Sequence, residues 1–112
     1  MKTIHKYPIE VTDFQEVEMP MGAKILHVQS QPAPYGQPSK EQLCLWAEVD
    51  PDNSLVPRRI RVFGTGHDME HEHQLRYIGS TDMHNHALVW HVYENFILKS
   101  YDSRSTNEST SE

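Results

Sequence analysis

Apolar and polar residues alternate with a period of two along much of this chain. The clearest stretch is 42–49. There Leu43, Leu45, Ala47 and Val49 alternate with Gln42, Cys44, Trp46 and Glu48. Successive side chains of a strand point to opposite faces, so the pattern predicts one core face and one face displaying Trp46. Asp50-Pro-Asp-Asn-Ser is turn chemistry, and residues 58–63 alternate again. Ile60 and Val62 fall on one side of that strand; Arg59, Arg61 and Phe63 fall on the other. Residues 42–63 are therefore expected to form a β-hairpin.

The same reading gives shorter strands elsewhere. Residues 2–7 alternate and are expected to stop at Pro8. Residues 14–18 form a second candidate, ended by Pro20, and Pro20-Met-Gly22 supplies a turn. Residues 23–31 predict a longer strand, with Leu26 and Val28 on one face and Ile25, His27 and Gln29 on the other. Pro32, Pro34, Gly36 and Pro38 mark residues 31–40 as a loop. Residues 75–79 read as a short strand, and 81–86 as a polar turn. Residues 87–94 are apolar on both faces, which predicts a central strand covered on both sides.

Six to seven short strands with turns between them predict a mainly β fold: a small antiparallel sheet, a barrel or a two-layer sandwich. An α+β fold with one short helix within 70–76 is the alternative. The folded unit is expected to be a single domain over 1–98. Residues 99–112 are nearly all Ser, Thr, Asn and acids, the composition of a disordered tail.

Composition narrows the functional classes. The chain has 112 residues and a formal net charge of −6 with its eight histidines neutral. That balance argues against nonspecific nucleic-acid binding, which needs a basic face. A single cysteine, Cys44, allows no internal disulfide; lying between two leucines it reads as a buried, inert thiol. The start of the chain lacks the apolar core of a secretion signal, and no apolar run approaches a membrane span. The expected compartment is the cytoplasm, with no membrane partner.

Two clusters are candidates for chemistry. In Phe63-Gly-Thr-Gly-His67, glycines permit close backbone approach, and consecutive amides can cradle an anion. Arg59 and Arg61 lead into this turn on the Phe63 face. If Trp46 lies on the neighbouring strand with the same orientation, Trp46, Arg59, Arg61, Thr65, Gly66 and His67 would suit a phosphate and a stacked base. The plainer account is a strand-ending turn beside a solvated basic face, because neither a P-loop nor a dinucleotide fingerprint is present.

The second cluster is histidine. His67, His71, His73, His84, His86 and His91 lie within 25 residues, interspersed with Asp68, Glu70, Glu72 and Asp82. Two His-x-His pairs, His71/His73 and His84/His86, would place rings on one face of a strand, as in some zinc sites. Solvated loop histidines are the plainer account. No metal or other cofactor is expected as the first choice; zinc on these histidines, in a binding protein or a hydrolase, is the alternative. Nothing positions Cys44 with a histidine for nucleophilic catalysis.

A wider pattern runs through the chain: Lys6-Tyr-Pro-Ile9, Glu18-Met-Pro20, Gly22-Ala-Lys-Ile-Leu26 with Val28-Gln29, Leu45-Trp-Ala47, Val49-Asp-Pro51, Phe63-Gly-Thr-Gly-His67, Tyr77-Ile-Gly79 and Val89-Trp-His-Val-Tyr-Glu94. In this order the motifs resemble a group of small proteins of bacteriophages and prophages, over about residues 2–94. The resemblance brings no catalytic residues. It implies an accessory viral protein acting inside a bacterial host. Binding is then expected rather than catalysis, with a host protein or a small nucleotide as partner, as in counter-defence. A structural module that forms a homodimer by strand-edge pairing is a further alternative.

Overall fold

A computed structural model describes residues 1–33, 37–69, 74–84 and 86–96. These form seven strands: β1 (Thr3–Ile9), β2 (Gln15–Pro20), β3 (Lys24–Ala33), β4 (Gln37–Val49), β5 (Leu55–Gly64), β6 (Leu75–Met83) and β7 (Leu88–Asn95). They make two antiparallel sheets, a three-stranded one ordered β1-β4-β3 and a four-stranded one ordered β2-β5-β7-β6. The sheets face each other across one core, as in a two-layer sandwich. Leu43, Leu45, Ala47 and Val49 of β4 meet Ile60 and Val62 of β5, Met83 of β6 and Val92 of β7 there. No helix occurs among the described residues, and none is long and apolar enough to cross a membrane. The proposed 70–76 helix gives way to β6 from Leu75 onward; residues 70–73, like the polar tail 99–112, lie outside the described residues.

The 42–63 hairpin does not form. β4 pairs with β1 and β3, whereas β5 pairs with β2 and β7. Residues 50–54 instead carry the chain from one sheet to the other. Each strand has one apolar face, and placing the strands across the sandwich buries those faces against each other. The crossing is tied in place. Asp50 accepts from the Asp52 amide at 3.1 Å through Oδ1 and from the Asn53 amide at 3.0 Å through its carbonyl. The Asn53 side chain donates to the Met21 carbonyl at 2.9 Å, and the Met21 amide donates to Ser54 at 2.7 Å. The β2-to-β3 and β4-to-β5 crossings therefore brace one another.

Four other expectations shift. Leu26 and Val28 do not share a face, because the register slips between Ile25 and His27. This bulge makes Leu26 the extra residue and lets both Ile25 and Val28 reach the core. The predicted 31–40 loop shrinks, since β3 runs to Ala33 and β4 starts at Gln37. Pro8 and Pro32 are tolerated within β1 and β3 because both are edge strands, where a missing donor need not interrupt a ladder. Finally, β7 is central, between β5 and β6, but covered on one face only. Val92 is fully buried on the inner side, while Tyr93 and His91 on the outer side remain half-buried.

The sandwich closes tightly where β6 meets β3. The Ser30 amide donates to Thr81 Oγ1 at 3.1 Å, and a Cβ at Gly79 would lie 2.9 Å from Val28 Cγ1. Val28 is buried and stiff at χ1, so it cannot yield cheaply. Gly79→Ala is expected to destabilise the fold by about 1–3 kcal/mol, the usual cost of overpacking. A urea titration of the variant with an unchanged midpoint would contradict this close approach.

Candidate functional site

The outer face of the four-stranded sheet carries a row of side chains in mutual contact. Its side chains follow from strand register. Arg61 lies opposite Tyr93, Phe63 opposite His91, Tyr77 opposite Tyr93 and Ser80 opposite His91. The β6 bulge between Tyr77 and Gly79 restores Ser80 to the outer face after Tyr77.

These residues hold each other in place. The Arg61 guanidinium lies over the Phe63 ring, 5.1 Å from its centroid. Phe63 meets Tyr93 edge-on at 5.8 Å, and Tyr93 meets Tyr77 edge-on at 5.3 Å. Such contacts add modestly to area burial but fix ring orientation. A hydrogen-bond chain continues from Tyr77. Its hydroxyl is 2.7 Å from Ser80 Oγ, which is 2.8 Å from His91 Nδ1; His91 Nε2 is 2.8 Å from Thr65 Oγ1. A neutral imidazole donates from one nitrogen and accepts at the other, so the chain has a single direction at a time. It spans β6, β7 and the turn after β5, and ends beside a cleft of about 370 Å³ lined by Gly64, Thr65, His67, Ala87, Leu88, Val89 and Trp90.

Both glycines of this turn have structural duties. The His67 amide donates to Gly64 at 3.0 Å, and Gly66 adopts φ +89° as the third residue of that turn. At Gly64 a Cβ would come within 3.0 Å of the His67 and Trp90 rings. The Gly64 amide donates to His67 Nδ1 at 3.2 Å, so His67 carries its proton on Nε2. Two amides that could have cradled an anion are thus used within the turn or lie under its ring. Arg61 donates through Nε to the Asp13 carbonyl at 2.6 Å, and Arg59 Nε lies 3.8 Å from a Glu16 carboxylate oxygen.

The structure brings Arg59, Arg61, Thr65, Gly66 and His67 together along one strand and its turn, but it does not bring Trp46 to them. β4 is not adjacent to β5, and Trp46 sits on the outer face of the other sheet, with Lys6 and His27 as neighbours. The stacking role assigned to Trp46 at this site is therefore corrected. His91, counted only as part of the histidine cluster, is the residue that links the site. The available signal was its place in a central strand, outward in register with Tyr93.

Among the described residues the histidines do not gather into one site. His71 and His73 lie outside the described residues. His84 and His86 sit in a turn, not a strand, with φ values of 54° and 72°. No group of three or more metal-ligating side chains occurs among the described residues. His86 instead hydrogen-bonds through Nδ1 to Asp82 Oδ2, and this bond and the Asp82 charge raise its pKa above the ordinary histidine value. Its protonated form is thus favoured in the fold; any stabilisation is present below the unfolded pKa and fades as pH rises through the folded value. Asp82→Asn is expected to return the His86 titration, followed by NMR, toward the ordinary value. An unchanged titration would show that Asp82 is not the cause. Burial pushes the Cys44 thiol up, with Lys6 opposing more weakly, as suits an inert thiol.

A family model described as a domain of unknown function, DUF7352, matches residues 1–99. The chain belongs to the DUF7352 family. Comparison with curated proteins and with solved structures gave no match. The DUF7352 match spans all seven strands, so both sheets and the outer-face site lie within the family domain.

Proposed function

We propose that this protein is a non-enzymatic binding module that docks a protein partner on the outer face of its four-stranded sheet. The observation that carries the reading is the Arg61–Phe63–Tyr93–Tyr77 row, ordered by its own contacts across β5, β7 and β6. Aromatic residues and arginine are the types enriched in protein interfaces and their hot spots. Rigid side chains lose little freedom on binding, so less interaction energy is spent on ordering them. Tyr77 is 57% exposed, and the adjoining cleft could take an apolar side chain of the partner between Leu88, Val89 and Trp90.

The phage-like motif order makes a bacterial host protein the expected partner, with counter-defence as the setting. A nucleotide fits less well, because Trp46 is elsewhere and Arg59 lies near a carboxylate. The experiment is affinity capture from host cells with the wild-type chain, an Arg61→Ala/Tyr77→Ala variant and a Lys6→Met variant. One host protein should be retained by wild type and Lys6→Met and lost with the double variant. Equal retention by all three would contradict the proposal.

A further inference from the structure

Trp46, displaced from the site above, belongs to a different constellation on the outer face of the three-stranded sheet. Strand register sets Lys6, Trp46 and His27 in one cross-strand row, with Pro8, Cys44 and Gln29 in the next. The Lys6 ammonium lies 5.7 Å from the Trp46 ring centroid, and the His27 ring packs against Trp46 at 5.5 Å. Lys6 then reaches across β4 to Gln31 on β3, donating to Oε1 at 2.6 Å. Beside this strap is a cleft of about 250 Å³ lined by Lys6, Pro8, Gln31, Pro32, Gln42 and Cys44. Cys44 is only 2% exposed although its strand position faces outward.

Charge on this face runs opposite to that of the chain. The chain carries a net charge of −6, yet Lys2, Lys6 and Lys24 share this face with the Glu48 carboxylate. Lys2 takes Glu48 at 3.1 Å; among the described residues Lys6 has no carboxylate partner, only the Gln31 carbonyl oxygen. The Gln42 amide is already committed to the Ile9 and Leu43 carbonyls. The remaining donors are the Lys6 ammonium and the Gln31 amide, next to apolar walls from Pro8, Pro32 and the Cys44 sulfur.

We propose that this cleft is a second binding site, separate from the protein-docking face, for a small carboxylate with an apolar body. The carboxylate would replace the Gln31 oxygen on Lys6 and accept from the freed Gln31 amide, two charge-assisted bonds where one neutral acceptor stood. The apolar body would lie against Pro8, Pro32 and the sulfur. An inorganic anion would use the donors but not the walls.

The test is a titration of the 15N-labelled full chain with 3-phenylpropionate, followed by NMR. Saturable shifts are expected at Lys6, Gln31, Gln42 and Cys44, with a Kd on the order of 1 mM for so small a ligand. The uncharged 3-phenylpropanol and inorganic phosphate should each bind at least about tenfold more weakly, as should 3-phenylpropionate to Lys6→Met. Absence of saturable shifts at these residues, or equal binding of the alcohol or of phosphate by the wild-type chain, overturns the proposal. Arg61→Ala/Tyr77→Ala should bind 3-phenylpropionate as wild type does, which separates this site from the docking face.

Discussion

Glu94→Ala is expected to be among the most damaging single substitutions in this protein, costing about 3–5 kcal/mol of stability. Glu94 follows Val92 on the inner face of β7 and is 6% exposed. Its partner, Arg58, precedes Ile60 and Val62 on the inner face of β5, with its side chain 16% exposed. The pair is bidentate: Arg58 donates from Nε to Glu94 Oε2 and from Nη2 to Oε1 at 2.9 Å. The third donor, Nη1, reaches the Ala23 carbonyl at 2.8 Å and so fastens the start of β3 to the other sheet. Removing the carboxylate leaves a guanidinium largely out of water with only a carbonyl to receive it. Small domains have about 5–15 kcal/mol of total stability, so this loss would remove a large share of it. Chemical denaturation of Glu94→Ala measures the loss. Replacing both partners with Met should recover much of it, because the unpaired charge and not the missing bridge is what costs. Arg59 and Glu16, by contrast, are 3.8 Å apart with side chains 36% and 50% exposed, and Arg59→Ala should cost less than about 1 kcal/mol. A loss below about 1 kcal/mol for Glu94→Ala would show that the pair is not isolated from solvent.

The second large effect is on binding. Arg61→Ala combined with Tyr77→Ala is expected to weaken the captured partner about 100-fold, roughly 3 kcal/mol. The two residues stand at opposite ends of one row, with Phe63 and Tyr93 between them. Phe63 is 4% exposed and acts as a foundation, so its removal would confuse stability with binding. Arg61 and Tyr77 reach the surface and can be removed without opening the core. Tyr77→Phe separates the ring from its hydroxyl: it keeps the Tyr93 contact and loses the 2.7 Å bond to Ser80. The Phe variant is expected to retain most of the affinity, because one exposed neutral hydrogen bond contributes about 0.5–1.5 kcal/mol. Calorimetry on the isolated pair of proteins measures these differences.

Much of the fold was legible because alternation reports which way a side chain faces. Alternation places all seven strands near their observed positions, gives the inner face of β4 and separates the two faces of β5. Alternation says nothing about which strand lies alongside. The 50–54 turn fits a hairpin and a sheet crossing equally well on local chemistry, so the partner of β4 was missed. Trp46 was misplaced with it. The Leu26 bulge was hidden for a related reason, since one extra residue inverts the phase without changing composition. The Thr65–His91–Ser80–Tyr77 chain joins three elements and has no local signature. The Arg58–Glu94 pair did leave a signal. Each residue breaks an apolar series on the core-facing parity, and two opposite charges in that position imply each other.

Hydrogen–deuterium exchange of the chain with its captured partner tests most directly whether the β5–β7–β6 outer face is the docking surface. Backbone protection on binding should concentrate in residues 59–65, 77–82 and 88–93, with residues 3–9 and 24–31 of the opposite sheet unchanged. Protection centred on β1 and β3, with the β5–β7–β6 face exchanging as in the free chain, would contradict it.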